Sequence, residues 1–220
     1  MSDIITLTGM VLSAMPIGEF DKRVVLLTRE RGQIAAFAKG ARRPNSHLLG
    51  ASRPMAFGTF ALYEGRNSYN IKSAEITAYF DELTKDLEDI SYSSYFMEVA
   101  TAYTVEGMDG TPMLKLLYQS LRALMKPSIP KLLVRYVYEL RTMVINGVYS
   151  LEPPMTVAES TAYTIYHVGT APIEKLYTFT VSAQVLEELG RCLAIYRQRY
   201  LEGRFTSLDI LETLGYNMYS

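Results

Sequence analysis

"VVLLTRERGQIAAFA", residues 24–38, sets two short apolar runs on either side of a turn closed by Gly32. Residues 24–28, VVLLT, and residues 33–38, QIAAFA, read as strands coupled through that turn. Before them, residues 4–12, IITLTGMVL, read as a further strand, and IGEFDKR reads as a charged loop carrying Gly18. After them, residues 55–64, MAFGTFALYE, and 69–77, YNIKSAEIT, form a pair around the hairpin loop GRNS. Five strands in 80 residues, with one long connection after residue 38, predict a small β-barrel. They are too few for a sandwich.

Beyond residue 80 the apolar period becomes helical. Helices are expected over 91–106, 112–126, 130–146, 157–167, 182–200 and 206–216. Thr111 offers an N-cap ahead of Pro112, and Gly147 offers a terminating glycine. The expected class is α+β, with a barrel domain over 1–80 and an α-helical bundle over 81–220.

The chain has 220 residues and a formal net charge of −1, but the charge is not evenly spread. Residues 1–80 hold ten Lys/Arg against six Asp/Glu, whereas residues 81–220 hold twelve against seventeen. A basic module joined to an acidic one suggests two kinds of partner. No apolar run is long enough for a membrane span, and no secretory signal is expected at the N-terminus. One cysteine, Cys192, allows no internal disulfide and suits a reducing compartment.

Catalytic constellations are missing from the sequence. The two histidines, His47 and His167, and the single cysteine lie far apart, so no zinc-ligand spacing occurs. There is no phosphate-cradling glycine motif and no nucleophile elbow. The expectation is a protein that is not an enzyme and has neither cofactor nor metal. A nuclease or hydrolase finds no support.

The connection "KGARRPNSHLLG", residues 39–50, is where the chemistry lies. Lys39, Arg42 and Arg43 stand among small residues, so a phosphate can approach the backbone closely. Arg53 follows, and Lys22 and Arg23 sit on the loop between the first two strands. OB-fold barrels bind nucleic acid with such cations and with exposed aromatics. Phe37, Phe57, Phe60, Tyr63 and Tyr69 are the candidate stacking platforms, and alternation must turn about half of them inward. The expected DNA-binding set is Lys22, Arg23, Lys39, Arg42, Arg43, Arg53 and Phe37. On the helical side, Lys115, Arg122 and Lys126 recur along one helix, while Arg135 and Arg141 flank the apolar stripe Leu133, Val137 and Leu140 on the next. Cations beside an apolar groove suit an acidic, aromatic peptide tail. Arg122, Arg135 and Arg141 are the candidate partner-binding residues.

Residues 18–50 also resemble the N-terminal signature of the RecO family of bacterial recombinational-repair proteins. The similarity runs through Gly18, Glu19, the T-R-E-x-G of Thr28 to Gly32, the KGARR of Lys39 to Arg43, Ser46, Leu48 and Gly50. Ala74–Glu75, the YELR of Tyr138 to Arg141 and the TSLDIL of Thr206 to Leu211 resemble later family landmarks. The resemblance implies an N-terminal OB-fold, a helical second domain and a non-enzymatic mediator at the nucleoid in the cytoplasm. It implies binding of single- and double-stranded DNA, strand annealing and loading of the RecA recombinase. The implied partners are RecR and the C-terminal tail of single-stranded-DNA-binding protein. Many family members carry four zinc-binding cysteines after the Phe-Glu-Leu-Arg helix. This chain has none there, so zinc is not carried over. The alternative reading is an adaptor whose barrel and helices bind proteins rather than DNA.

Overall fold

The computed structural model describes residues 4–65, 68–148, 151–201 and 203–215. It is α+β: five strands close into a barrel and are followed by helices.

The strands are β1 (Ile4–Ile17), β2 (Asp21–Thr28), β3 (Gly32–Ala38), β4 (Phe57–Glu64) and β5 (Tyr69–Ala78). Around the barrel they run β1-β2-β3-β5-β4, and β4 pairs back onto β1. All pairs are antiparallel except β3 with β5, where Ala36 faces Tyr69 and Phe37 faces Asn70. The register that starts at Met15 and passes Arg23, Phe37, Asn70 and Tyr63 returns to β1 at Ile4. That stagger is what closing a small barrel requires. At Gly58, beside a register shift, a Cβ would lie 2.1 Å from the Glu75 carbonyl oxygen, so only glycine lets β4 and β5 approach this closely.

Inward residues alternate along each strand: Val24, Leu26, Ile34, Ala36, Phe60, Leu62 and Ile71 fill the barrel. Ala41 and Leu48, from the long connection, join the same core. That connection holds one turn of helix, α1 (Leu48–Ala51). The expected loop over IGEFDKR is shorter in the structure: β1 and β2 remain paired out to Ile17 and Asp21, and the turn shrinks to Gly18, Glu19 and Phe20. In GRNS the Gly65 N–H donates to the Ser68 carbonyl at 2.9 Å, while Arg66 and Asn67 lie outside the described residues.

Two compact units are present. The barrel unit comprises Met1–Asp81 and Ala100–Leu114, and the helical unit Glu82–Val99 and Lys115–Ser220. Residues 105–110 are sewn to the β2–β3 turn by three backbone bonds. Gln33 N–H donates to the Val105 carbonyl (3.2 Å), Gly107 N–H to Arg31 (3.0 Å) and Gly110 N–H to Arg29 (3.2 Å).

The longer helices are α2 (Leu87–Ala102), α3 (Thr111–Leu124), α4 (Lys131–Ile145), α5 (Glu159–Thr170), α6 (Ala183–Tyr200) and α7 (Thr206–Thr213). The helix expected over 91–106 starts and ends earlier, because residues 105 and 106 engage the barrel turn instead. The N-cap expected at Thr111 is also displaced. Asp109 Oδ1 accepts the Thr111 N–H at 2.9 Å, and Thr111 is already helical. Gly147 closes α4 with φ +69°, as expected of a residue past a helix end. For the helix expected over 206–216, Tyr216 lies outside the described residues. Among the described residues, no helix is long and apolar enough to cross a membrane.

Inside the helical unit the Tyr138 ring stacks on Phe96 at 4.3 Å and its hydroxyl donates to the Phe96 carbonyl at 2.7 Å. Glu188 on α6 accepts hydrogen bonds from the Ala158 N–H (3.0 Å) and the Thr161 hydroxyl, and so caps the start of α5. These bonds hold the Glu188 carboxyl below the usual carboxylate range.

Candidate nucleic-acid interface

The expected cations gather at one end of the barrel because two turns are stitched together. Gly40, at φ +67°, reverses the chain after β3, and its N–H donates to Asp21 Oδ1 at 2.7 Å. The Arg42 N–H donates to the Phe20 carbonyl at 2.8 Å, and Arg42 Nη1 donates to the Gly18 carbonyl at 3.3 Å. The basic connection therefore lies against the β1–β2 turn. Ala41 is buried, and its neighbours Lys39, Arg42 and Arg43 are exposed.

Lys22 shares the inward parity of Val24 and Leu26 but stands at the barrel end, half-buried. Burial first, then the positive charges of Arg42 and Arg53, lower its pKa. Three like charges thus bear on one another here, an arrangement that an incoming anion relieves. Arg53 is exposed and pairs with Asp81 at 2.8 Å.

Arg23 points the other way. It is exposed, and its cross-strand neighbours are Met15 on β1 and Phe37 on β3. Met15 is 62 % exposed and Phe37 is half-buried, so this face mixes a cation with apolar surface. Phe20 adds an exposed ring on the β1–β2 turn, 5.1 Å from the Arg43 guanidinium carbon. Phe20 and Met15 are not among the residues that sequence alone singles out. An aromatic inside a charged turn, as Phe20 is in IGEFDKR, was the available signal.

Of the other stacking candidates, Phe60 and Tyr69 are buried and are corrected to core positions. Tyr69 donates its hydroxyl to Glu106 at 2.7 Å. Phe57 is half-buried; Tyr63 is exposed, with Lys72 Nζ 5.9 Å over its ring.

Arg122, Arg135 and Arg141 do not form one exposed rim. Arg135 is 2 % exposed, and its Nε lies 3.0 Å from Glu139 Oε1, one helical turn along α4. The Glu139 carboxylate is wholly buried and also accepts from the Tyr95 hydroxyl at 2.9 Å. Arg141 is half-buried and donates to the carbonyls of Val168 and Gly169, joining α4 to α5. Burial lowers its pKa. Arg122 alone of the three is exposed, beside Lys126, Gln119 and Thr178 in a cleft of about 260 Å³.

Zinc does not fit this donor set. Among the described residues no group of three or more His, Cys, Asp and Glu could hold a metal ion. Cys192 is buried, and burial pushes its thiol pKa up.

Comparison with known proteins agrees with this architecture. Residues 1–80 match the family model "Recombination protein O N terminal", and residues 84–150 match "Recombination protein O C terminal". The chain is similar to the DNA repair protein RecO of Acetivibrio thermocellus, 25 % identical over 240 residues and covering 94 % of this chain and 96 % of that one. The DNA repair protein RecO of Thermoanaerobacter sp. is 26 % identical over 238 residues, covering 94 % and 96 %. That of Alkaliphilus metalliredigens is 33 % identical over 153 residues, covering 70 % of this chain and 61 % of the relative. With the N- and C-terminal family models both matched within residues 1–150 and an OB-fold barrel followed by helices, the chain belongs to the RecO family.

Proposed function

We propose that this protein is a non-enzymatic, DNA-binding mediator of recombinational repair, acting at the nucleoid in the cytoplasm. In this reading the barrel holds single- and double-stranded DNA, and the protein anneals complementary strands. With RecR it helps load the RecA recombinase. The observation that carries the reading is the clustering of Lys22, Arg42 and Arg53 at one barrel end, next to Arg43 seated on the exposed Phe20 ring. Phosphates are held by such cations, and unpaired bases by such rings. Lys39 and Arg23 extend the surface, and Phe37 supplies its second ring.

The helical unit contributes the partner contact. Arg122 and Lys126 line a small polar cleft together with Glu174, which pairs with Lys115, and these two cations are the ones offered to a carboxylate, such as those on the tail of single-stranded-DNA-binding protein. The adaptor reading draws on Tyr163 and Tyr166, 68 % and 54 % exposed on α5, because exposed aromatics also serve protein interfaces.

Titration of a dye-labelled oligonucleotide, followed by anisotropy at two salt concentrations, tests the reading. Affinity that falls steeply with salt, and that neutralising Lys39, Arg42 and Arg43 abolishes, supports it. Salt-independent binding, or none, returns the barrel to the adaptor class.

A further inference from the structure

The cation cluster of the barrel brings its own counter-ion. Three acids border it. Asp21 commits Oδ1 to the Gly40 N–H at 2.7 Å and so holds the basic turn in place. Glu19 is exposed on the β1–β2 turn. Asp81, just beyond β5, places Oδ1 2.8 Å from Arg53 Nη2. The two side chains are 49 % and 56 % exposed, so an external anion reaches Arg53 without any opening of the fold. A carboxylate oxygen and a phosphate oxygen ask the same thing of a guanidinium: a charge-assisted N–H donor. Only one of them can occupy a given N–H.

We propose that Asp81 is a built-in competitor for DNA phosphate at Arg53, so that DNA binding exchanges an internal ion pair for an external one. This rests on the DNA-binding reading above. The exchange has two consequences. The Arg53–phosphate contact is worth less than an unopposed one, because the internal pair must first be given up. Where the internal pair holds Arg53, the phosphate keeps its condensed counter-ion, which reduces the ion release that makes DNA binding salt-sensitive. Asp81 thus sets both the affinity and the salt response of the surface without touching DNA.

The test uses the full chain as wild type, D81N, D81E, R53A and the R53A/D81N pair. Binding of one labelled single-stranded oligonucleotide is measured across a salt series. D81N is expected to tighten binding by up to about five-fold, which is what an exposed ion pair of up to about 1 kcal/mol supplies. It should also steepen the logarithmic salt slope by up to roughly 0.9. D81E, which keeps the charge, should stay close to wild type. In the R53A background D81N should change nothing. The idea is overturned if D81N leaves the wild-type affinity and slope where they were. Equal tightening with and without Arg53 also overturns it, since that is only the long-range effect of one less negative charge. Should the wild type show no salt-dependent binding at all, the DNA-binding reading itself fails and this one falls with it. If the wild type binds and D81N is silent, only this proposal is lost.

Discussion

The guanidinium carbon of Arg43 lies 5.1 Å from the centroid of the Phe20 ring. The two residues come from different connections, and the backbone bond from Arg42 N–H to the Phe20 carbonyl brings them together. Cation and ring share a surface: the guanidinium offers donors to phosphate, and the ring offers a face to a base. Replacing Phe20 by Ala removes the seat of Arg43, and replacing Phe37 by Ala removes the ring beside Arg23. Each change is expected to weaken single-stranded DNA binding by about 1–3 kcal/mol per lost stack. Duplex binding should hardly change, because its bases are already stacked on one another. Anisotropy with matched single- and double-stranded oligonucleotides makes the comparison, and equal losses on both substrates would count against stacking.

Phosphate contacts leave a different signature. Arg42→Ala together with Arg43→Ala should reduce the salt slope by about 1.8, at roughly 0.9 per phosphate contact on duplex DNA. All sequences should weaken alike, because phosphates carry no base information. A loss confined to certain sequences would show that these arginines read bases.

Arg135 should behave as a structural residue. Arg135→Ala leaves the buried Glu139 carboxylate without its nearest cation, a change that costs about 3–5 kcal/mol. Replacing both residues with apolar ones of similar size, as in R135M/E139L, should recover most of that loss. Denaturant unfolding of the single and double variants distinguishes this from a partner-binding role. If R135A were as stable as wild type and lost only partner affinity, the burial argument would be wrong.

The cap on α5 should be acid-sensitive. The Thr161 hydroxyl and the Ala158 N–H depress the Glu188 pKa in the folded state. A depressed carboxylate contributes stability above its unfolded pKa of about 4.3, and that contribution is lost as pH falls through the folded value. Melting curves taken between about pH 6 and pH 3 should therefore show a smaller acid-induced drop for E188Q than for wild type. Parallel pH profiles would remove Glu188 from the acid response.

Chelation should leave the protein unmoved. With one cysteine, buried on α6, tight zinc binding has no thiolate ligand set. Incubation with a strong chelator should not shift the melting temperature, and elemental analysis should find no stoichiometric zinc. One equivalent of retained zinc would overturn this.

Much of the fold was legible in the chain because its signals are local. Alternation and tight turns marked five strands, and helical spacing marked the bundle. The T-R-E-x-G stretch shows why that works. The Thr28 hydroxyl donates to the Gly32 carbonyl at 2.8 Å, Glu30 accepts the Thr8 N–H at 2.9 Å, and Gly32 adopts φ +65°. At Gly32 a Cβ would come within 2.3 Å of the Val105 carbonyl oxygen. These residues build the hairpin and its neighbours, whereas Lys39, Arg42 and Arg43 are left exposed on a turn held by backbone bonds and by the Asp21 carboxylate.

What the sequence by itself determined was therefore the set of elements, their order, and a density of cations in one connection. Which of those cations share a surface was decided by tertiary structure. Arg53 and Asp81 are 28 residues apart in the chain and 2.8 Å apart in space, and no spacing rule reaches across the two strands between them. Helical period placed Arg135 beside an apolar stripe, but it could not say that this face is covered. Burial depends on other helices, remote in sequence, packing against it, and there the cation is held by Glu139 one turn away. Periodicity tells which side chains point together, and only packing tells whether they point at water.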